Sequence, residues 1–142
     1  NTYGITGNTW LMLPNGSHTL TITATDGIDT DVRTITFSKS VKTLTIQNST
    51  PWVASTKPTR IMLVVTRNIP SAATFKVEVC NNGYDASPTW EDATDAVLSG
   101  LVHVFGNSAK TASNWGVLVR VTVSRNGATG ACYVSAIGGN FE

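Results

Sequence analysis

Charge is scarce in this chain of 142 residues: lysine, arginine, aspartate and glutamate make up 13% of it, against roughly 25% in an ordinary globular domain. Ten basic and nine acidic residues leave a formal net charge of +1, so the balance gives no reason to expect nucleic acid or an anionic membrane as a partner. Long apolar runs are missing too. None approaches the roughly 20 residues of a transmembrane helix, so no membrane insertion is expected. The first residues lack the basic flank and apolar core of a secretory signal. The chain opens at Asn1 without an initiator Met, from which we expect a processed or partial polypeptide. Cysteine is limited to Cys80 and Cys132, too few for a disulfide framework and without zinc-ligand spacing. One bridge between them stays open, and two free half-buried thiols are the expected state. No GxSxG elbow, phosphate loop or dinucleotide fingerprint occurs, and His18 and His103 each fall within a strand pattern. No catalytic residue, and no enzyme, is expected.

What the chain has in abundance is small polar residues arranged with period two. From Ser17, His18, Leu20, Ile22 and Ala24 fall on one side and Thr19, Thr21, Thr23 and Thr25 on the other, the pattern of a half-buried strand. Asp26-Gly27 breaks it, and Val32 to Phe37 forms a second strand with Ile35 and Phe37 inward, giving a β-hairpin. Ser38-Lys39-Ser40 reads as a linker. Further strands are predicted at 42–47, 60–67, 74–80, 101–105, 117–123 and 131–137, with 138–142 as a tail. The unbroken apolar run Ile61 to Val65 predicts a strand buried on both faces. Between Ser87 and Gly100 a short helix is predicted, capped either by Ser87 ahead of Pro88 or by a Thr89–Asp92 box and stopped by Gly100. Length suits one ordinary domain or a domain with a fragment of another.

Two phrases resemble known families. LPNGSHTLTITATDG, followed by a run ending in FSKS, looks like the last two strands of a bacterial or phage immunoglobulin-like repeat. The phrases CNNGYDASPTWEDAT and WGVLVRVTVSRNGATGACYVSAIGGNFE resemble the C-terminal module of phage virion structural proteins, associated with tails or fibres of phages of Gram-positive gut bacteria. The resemblances imply residues 1–38 as the end of an incomplete immunoglobulin-like domain, 39–41 as a linker and 42–142 as a C-terminal domain. The expected fold is all-β: an antiparallel β-sandwich, immunoglobulin-like or jelly-roll-like, with one short helix, preceded by a β-hairpin. The implied function is that of a non-enzymatic virion structural protein, a tail, fibre or decoration component. Its partners would be copies of itself and other virion proteins, its location the phage particle, and a role in attachment to a host surface would fit. The alternative is a carbohydrate-binding adhesin module on the surface of a Gram-positive bacterium or phage, with a cell-surface glycan as partner.

Candidate binding residues follow from loop chemistry. Aromatic faces stack on sugar rings while amides and carboxylates hydrogen-bond the hydroxyls, which singles out Trp52, Asn81, Asn82, Tyr84 and Asp85. The loop from Asn81 to Ser87 is the surface expected to meet a partner. Asp85, Glu91, Asp92 and Asp95 are a weak Ca²⁺ candidate, since that ion takes about six to eight oxygen ligands. No spaced calcium motif is present, and helix-start carboxylates account for them equally. Trp90 and Trp115 are expected to plug the core.

Overall fold

The computed structural model describes residues 4–142, which fall into two compact units, Asn1–Val41 and Lys42–Glu142. In the first, a short helix α1 (Gly7–Met12) that the sequence pattern did not announce is capped by Thr6, whose hydroxyl accepts from Thr9 N. It precedes the expected hairpin of β1 (Gly16–Thr25) and β2 (Thr30–Lys39), paired antiparallel from Gly16↔Lys39 to Thr25↔Thr30. The Asp26 carboxylate accepts from the amides of Ile28 and Asp29 and closes the turn. Where a linker was expected, β2 runs on through Ser38 and Lys39. Lys39 is buried and its ammonium donates to Trp10 O and Leu13 O. The Trp10 ring stacks on Phe37, so the α1 end of the apolar hairpin face is covered, while Ile22 and Ile35 further along stay 47% and 49% exposed.

The second unit is an antiparallel sandwich. In chain order it comprises β3 (Thr43–Gln47), β4 (Trp52–Ala54), β5 (Arg60–Asn68), β6 (Thr74–Cys80), β7 (Glu91–Asp92), α2 (Thr94–Ser99), β8 (His103–Val104), β9 (Trp115–Ser124) and β10 (Tyr133–Phe141). One sheet has the order β3-β9-β6-β7, with β4 also on β9; the other is β10-β5-β8. Period two decides what faces inward. Ile61, Leu63 and Val65 of the smaller sheet meet Val77, Val79, Val117, Val119, Val121 and Val123 of the larger. Each such side chain contributes roughly 1.5–3 kcal/mol on full burial. Ala93, Val97 and Phe105 complete this core.

Several expectations need correction. Met62 and Val64 are 40% and 59% exposed, so β5 is buried on one face only, and the apolar run comes from an apolar outer face. The tail at 138–141 is strand, in register with 61–64 of β5. The helix begins at Thr94, after Glu91 and Asp92 have paired with Val79 and Glu78 as β7. Neither expected cap forms; Asp92 Oδ1 accepts from Thr94 N at 2.9 Å. The stop at Gly100 is as expected, in the left-handed conformation (φ 66°). No tryptophan enters the core cluster. The Trp90 ring lies against Arg120, 4.1 Å from guanidinium carbon to ring centre, and Lys110 approaches the Trp115 ring. Cys80 and Cys132 are both free thiols.

Candidate functional site

The pairing registers bring the end of β6, the starts of β5 and β9 and the end of β10 to one pole of the sandwich. All five residues singled out for binding, and Glu91, gather there or on the segments leading into it. Asn81 and Asn82 face inward, whereas Trp52 and Tyr84 are exposed.

Asn81 has no exposed surface. Its Nδ2 donates to Pro58 O and Asn107 O at 3.0 Å each, and its Oδ1 accepts from Asn107 Nδ2 at 2.7 Å. Asn82 is also buried; its Oδ1 accepts from Thr89 N and its Nδ2 donates to Asp85 and to the Thr89 hydroxyl. These bonds answer the loop's backbone demands from inside, as buried polar groups require. Both asparagines therefore organise the loop and do not present it to a partner, which corrects the expectation for Asn81 and Asn82. An Asn-Asn-Gly run reads as surface turn because its local chemistry is that of a turn. Only the distant partners at 58, 89 and 107 turn the side chains inward.

Asp85 spans to a second loop, accepting from Thr111 N and Ala112 N at 2.8–3.0 Å. The Ala112 amide, ahead of Thr111 and Asn82, holds its carboxyl below the usual carboxylate range. Tyr84 is half-exposed and its hydroxyl donates to Pro51 O at 3.1 Å. Its ring lies so close over Gly116 that a Cβ there would fall 2.5 Å from a ring carbon. Trp52 is 45% exposed, against 36% for Tyr84. It borders a cleft of about 260 Å³ that Ile61, Leu63, Gly139, Asn140 and Phe141 complete.

The four proposed calcium ligands do not converge. Among the described residues no three His, Cys, Asp or Glu side chains gather as a metal site, and Asp85, Glu91 and Asp92 each serve a different backbone segment. Glu91 accepts from Gly106 N at 2.9 Å, Asn107 N at 2.8 Å and His103 Nε2 at 3.1 Å. Burial alone would raise its carboxyl, but the two amides and the imidazole outweigh burial and hold it below the usual range. This carboxylate–imidazole pair escaped sequence reasoning because its members sit on different strands of different sheets, β7 and β8. Their hydrogen bond ties the two sheets together at the edge. Among the described residues neither His103 nor His18 hydrogen-bonds a serine, threonine or cysteine: His18 meets Pro14 O, and His103 meets Glu91. Cys80 lies buried, and burial pushes its thiol up, away from the thiolate a nucleophile needs. The polar chemistry of this pole is spent on joining loops to each other.

No protein-family model matches the chain, and neither a curated protein nor a solved structure matches it.

Proposed function

We propose that the chain is a non-enzymatic structural component of a phage particle, part of a tail, fibre or decoration, that works by packing against further subunits. The observation that supports the assembly half of this reading is the β1–β2 hairpin. It is two strands wide, carries no further strand on either edge among the described residues, and leaves Ile22 and Ile35 of its apolar face uncovered. A two-stranded ribbon is marginal by itself in water and gains stability from another layer or another strand. The phage half rests on the resemblance of the two sequence phrases. In a repeating particle many modest contacts act together, so no single residue need dominate.

Mass spectrometry of purified particles, run beside the culture supernatant, tests this. The reading expects many copies of the chain per particle. Its presence in the supernatant together with absence from particles would overturn it.

A second reading, glycan binding, draws on one observation, the exposed face of Trp52 beside the Asn140 amide in a cleft of about 260 Å³. It expects retention of a glycan by the wild-type chain and loss of that retention in Trp52→Ala. An array on which the wild-type chain retains nothing disposes of it.

A further inference from the structure

The sandwich of Lys42–Glu142 has two flanks, and its own chain closes one of them. There β7, α2 and β8 follow one another from the edge of the larger sheet to the edge of the smaller. Val97 of α2 is buried in the core, and the Glu91–His103 hydrogen bond links the two edges. The opposite flank lies between β10 and the edge formed by β3 and β4. Leu44 and Trp52 there stand in register with the fully buried Val123 and Val117, so they share the core-facing side, yet they remain 44% and 45% exposed. The cleft lined by Trp52, Gly139 and Phe141 opens on this flank.

The four sheet edges differ in how they are protected. β7 and β8 are two residues long. The β3/β4 edge is interrupted between Gln47 and Trp52 by a loop containing Pro51. β10 is nine residues long and contains no Pro, Lys, Arg, Asp or Glu. Its one irregularity falls between Val134 and Ala136, leaving Ala136–Phe141 regular. Arg60 and Glu142 exchange N–H···O bonds at 3.1 Å. By antiparallel alternation, Asn140 and Gly138 also turn their main-chain groups toward β5, whereas Ile137, Gly139 and Phe141 turn theirs to the free side. Natural edges of this length are normally blunted by charge, Pro or bulges.

We propose that the free edge of β10 pairs antiparallel with β10 of a second copy of this chain, joining two three-stranded sheets into one continuous six-stranded sheet. This deepens the assembly reading above and names the surface it uses. The absence of charge selects the occupant. An antiparallel strand meeting its own copy sets each side chain near its symmetry mate, which like charges would oppose, and Ala136–Phe141 carries none. Glu142 just beyond is already neutralised by Arg60. An isologous contact of this kind closes on itself, and the continued sheet extends over the half-open cleft at Trp52.

Gly138 supplies the test. It is exposed, and a Cβ built on it meets nothing within 4 Å, so the monomer tolerates a side chain there. Whether the twofold axis falls on Gly138 or Gly139, the two copies of residue 138 lie on one face within about 7–8 Å. Mass from light scattering across a concentration series of the full chain should show reversible association. Gly138→Asp and Gly138→Lys should each weaken it by about tenfold or more, and an equimolar mixture of the two should restore it as a heterodimer. A melting temperature equal to wild type establishes that each variant folds; at Ala136, exposed on the same strand, Ala136→Lys replaces the lysine variant and Ala136→Asp the aspartate variant if either melts early. A wild-type chain that stays monomeric at every concentration overturns the proposal. So does association that persists undiminished in both charge variants, and that outcome leaves the assembly reading standing on its particle measurement.

Discussion

Asn81 sits where three segments meet: its Nδ2 donates to the main-chain carbonyls of Pro58 and Asn107, and its Oδ1 accepts from the Asn107 side-chain Nδ2. Asn81→Ala takes the donor from Pro58 O and Asn107 O, each at about 1–3 kcal/mol, whereas Asn107 Nδ2 keeps its bond to Ala109 O. We expect a total loss of roughly 2–6 kcal/mol, read as a lower urea midpoint with an unchanged slope. Glu91 gives the molecule a sensitivity to acid. Its folded carboxyl is held below the ordinary 4.5, so its contribution is complete above that value and is lost as pH falls through the folded value. Glu78, held down first by Lys76 and then, against the opposing effect of burial, by Arg120, and Asp92, held down first by the Thr94 hydroxyl, act with the same sign. The melting temperature should be level from neutrality down to the ordinary carboxylate range and fall below it. Glu91→Gln should melt earlier at pH 7 and show a shallower acid slope, and an unchanged slope would assign the acid sensitivity to other groups.

At the scale of elements, the loop from Asn82 to Trp90 holds to the sheet through a close approach at Gly116. There Gly83 N donates to Gly116 O at 2.7 Å and Gly116 N donates to Asn81 O at 3.1 Å, beneath the Tyr84 ring. Gly116→Ala would drive a methyl group into that ring and into Pro51, an overpacking that costs about 1–3 kcal/mol. We expect a depressed melting temperature, and Tyr84→Ala in the same background should recover part of it by removing the obstruction. The strands themselves were legible because alternation is a local signal: His18 to Thr25, Phe75 to Val79 and Val117 to Val123 declare their inner faces residue by residue. The helix start was misplaced because Ser87, Pro88 and Thr89 carry the local chemistry of a cap. The Thr89 amide is taken instead by Asn82 Oδ1, a partner seven residues back. Trp90 and Trp115 were misplaced for a reason of thickness, since Ile61, Leu63 and Val65 packed against the valines of the larger sheet leave no room for an indole. The rings lie over Arg120 and Lys110 instead.

At the scale of the whole molecule, the two units hold unequal shares of stability. Lys42–Glu142 contains the entire buried core cluster, whereas Asn1–Val41 offers a hairpin and a helix of six residues. Residues 42–142 produced alone should therefore melt cooperatively, close to the temperature of the full chain. Residues 1–41 alone should give the dispersion-poor amide spectrum of an unfolded peptide. A cooperative transition in the short fragment would show that the hairpin needs no further cover, and would weaken the assembly reading with it. The strand running through Lys39, where a linker was expected, was hidden from the sequence. A Ser-Lys-Ser run looks solvent-bound until Trp10 and Leu13 supply carbonyls for the ammonium.

The central strand β9 has a temporal consequence. It is flanked on one side by β3 and β4 and on the other by β6, and its pairing with β3 joins Thr43 to Ser124. β10 in turn joins Phe141 to Ile61. Contacts so distant along the chain must overcome loop-closure entropy before they return any stability, which places folding in the slow range of sandwich proteins, about milliseconds to seconds. On the ribosome the larger sheet has no centre until β9 has been synthesised, and the smaller lacks its longest pairing until β10 emerges. During synthesis the apolar strands β5 and β6 wait exposed until β10 and β9, their respective partners, have followed, so the nascent chain is most vulnerable in that interval.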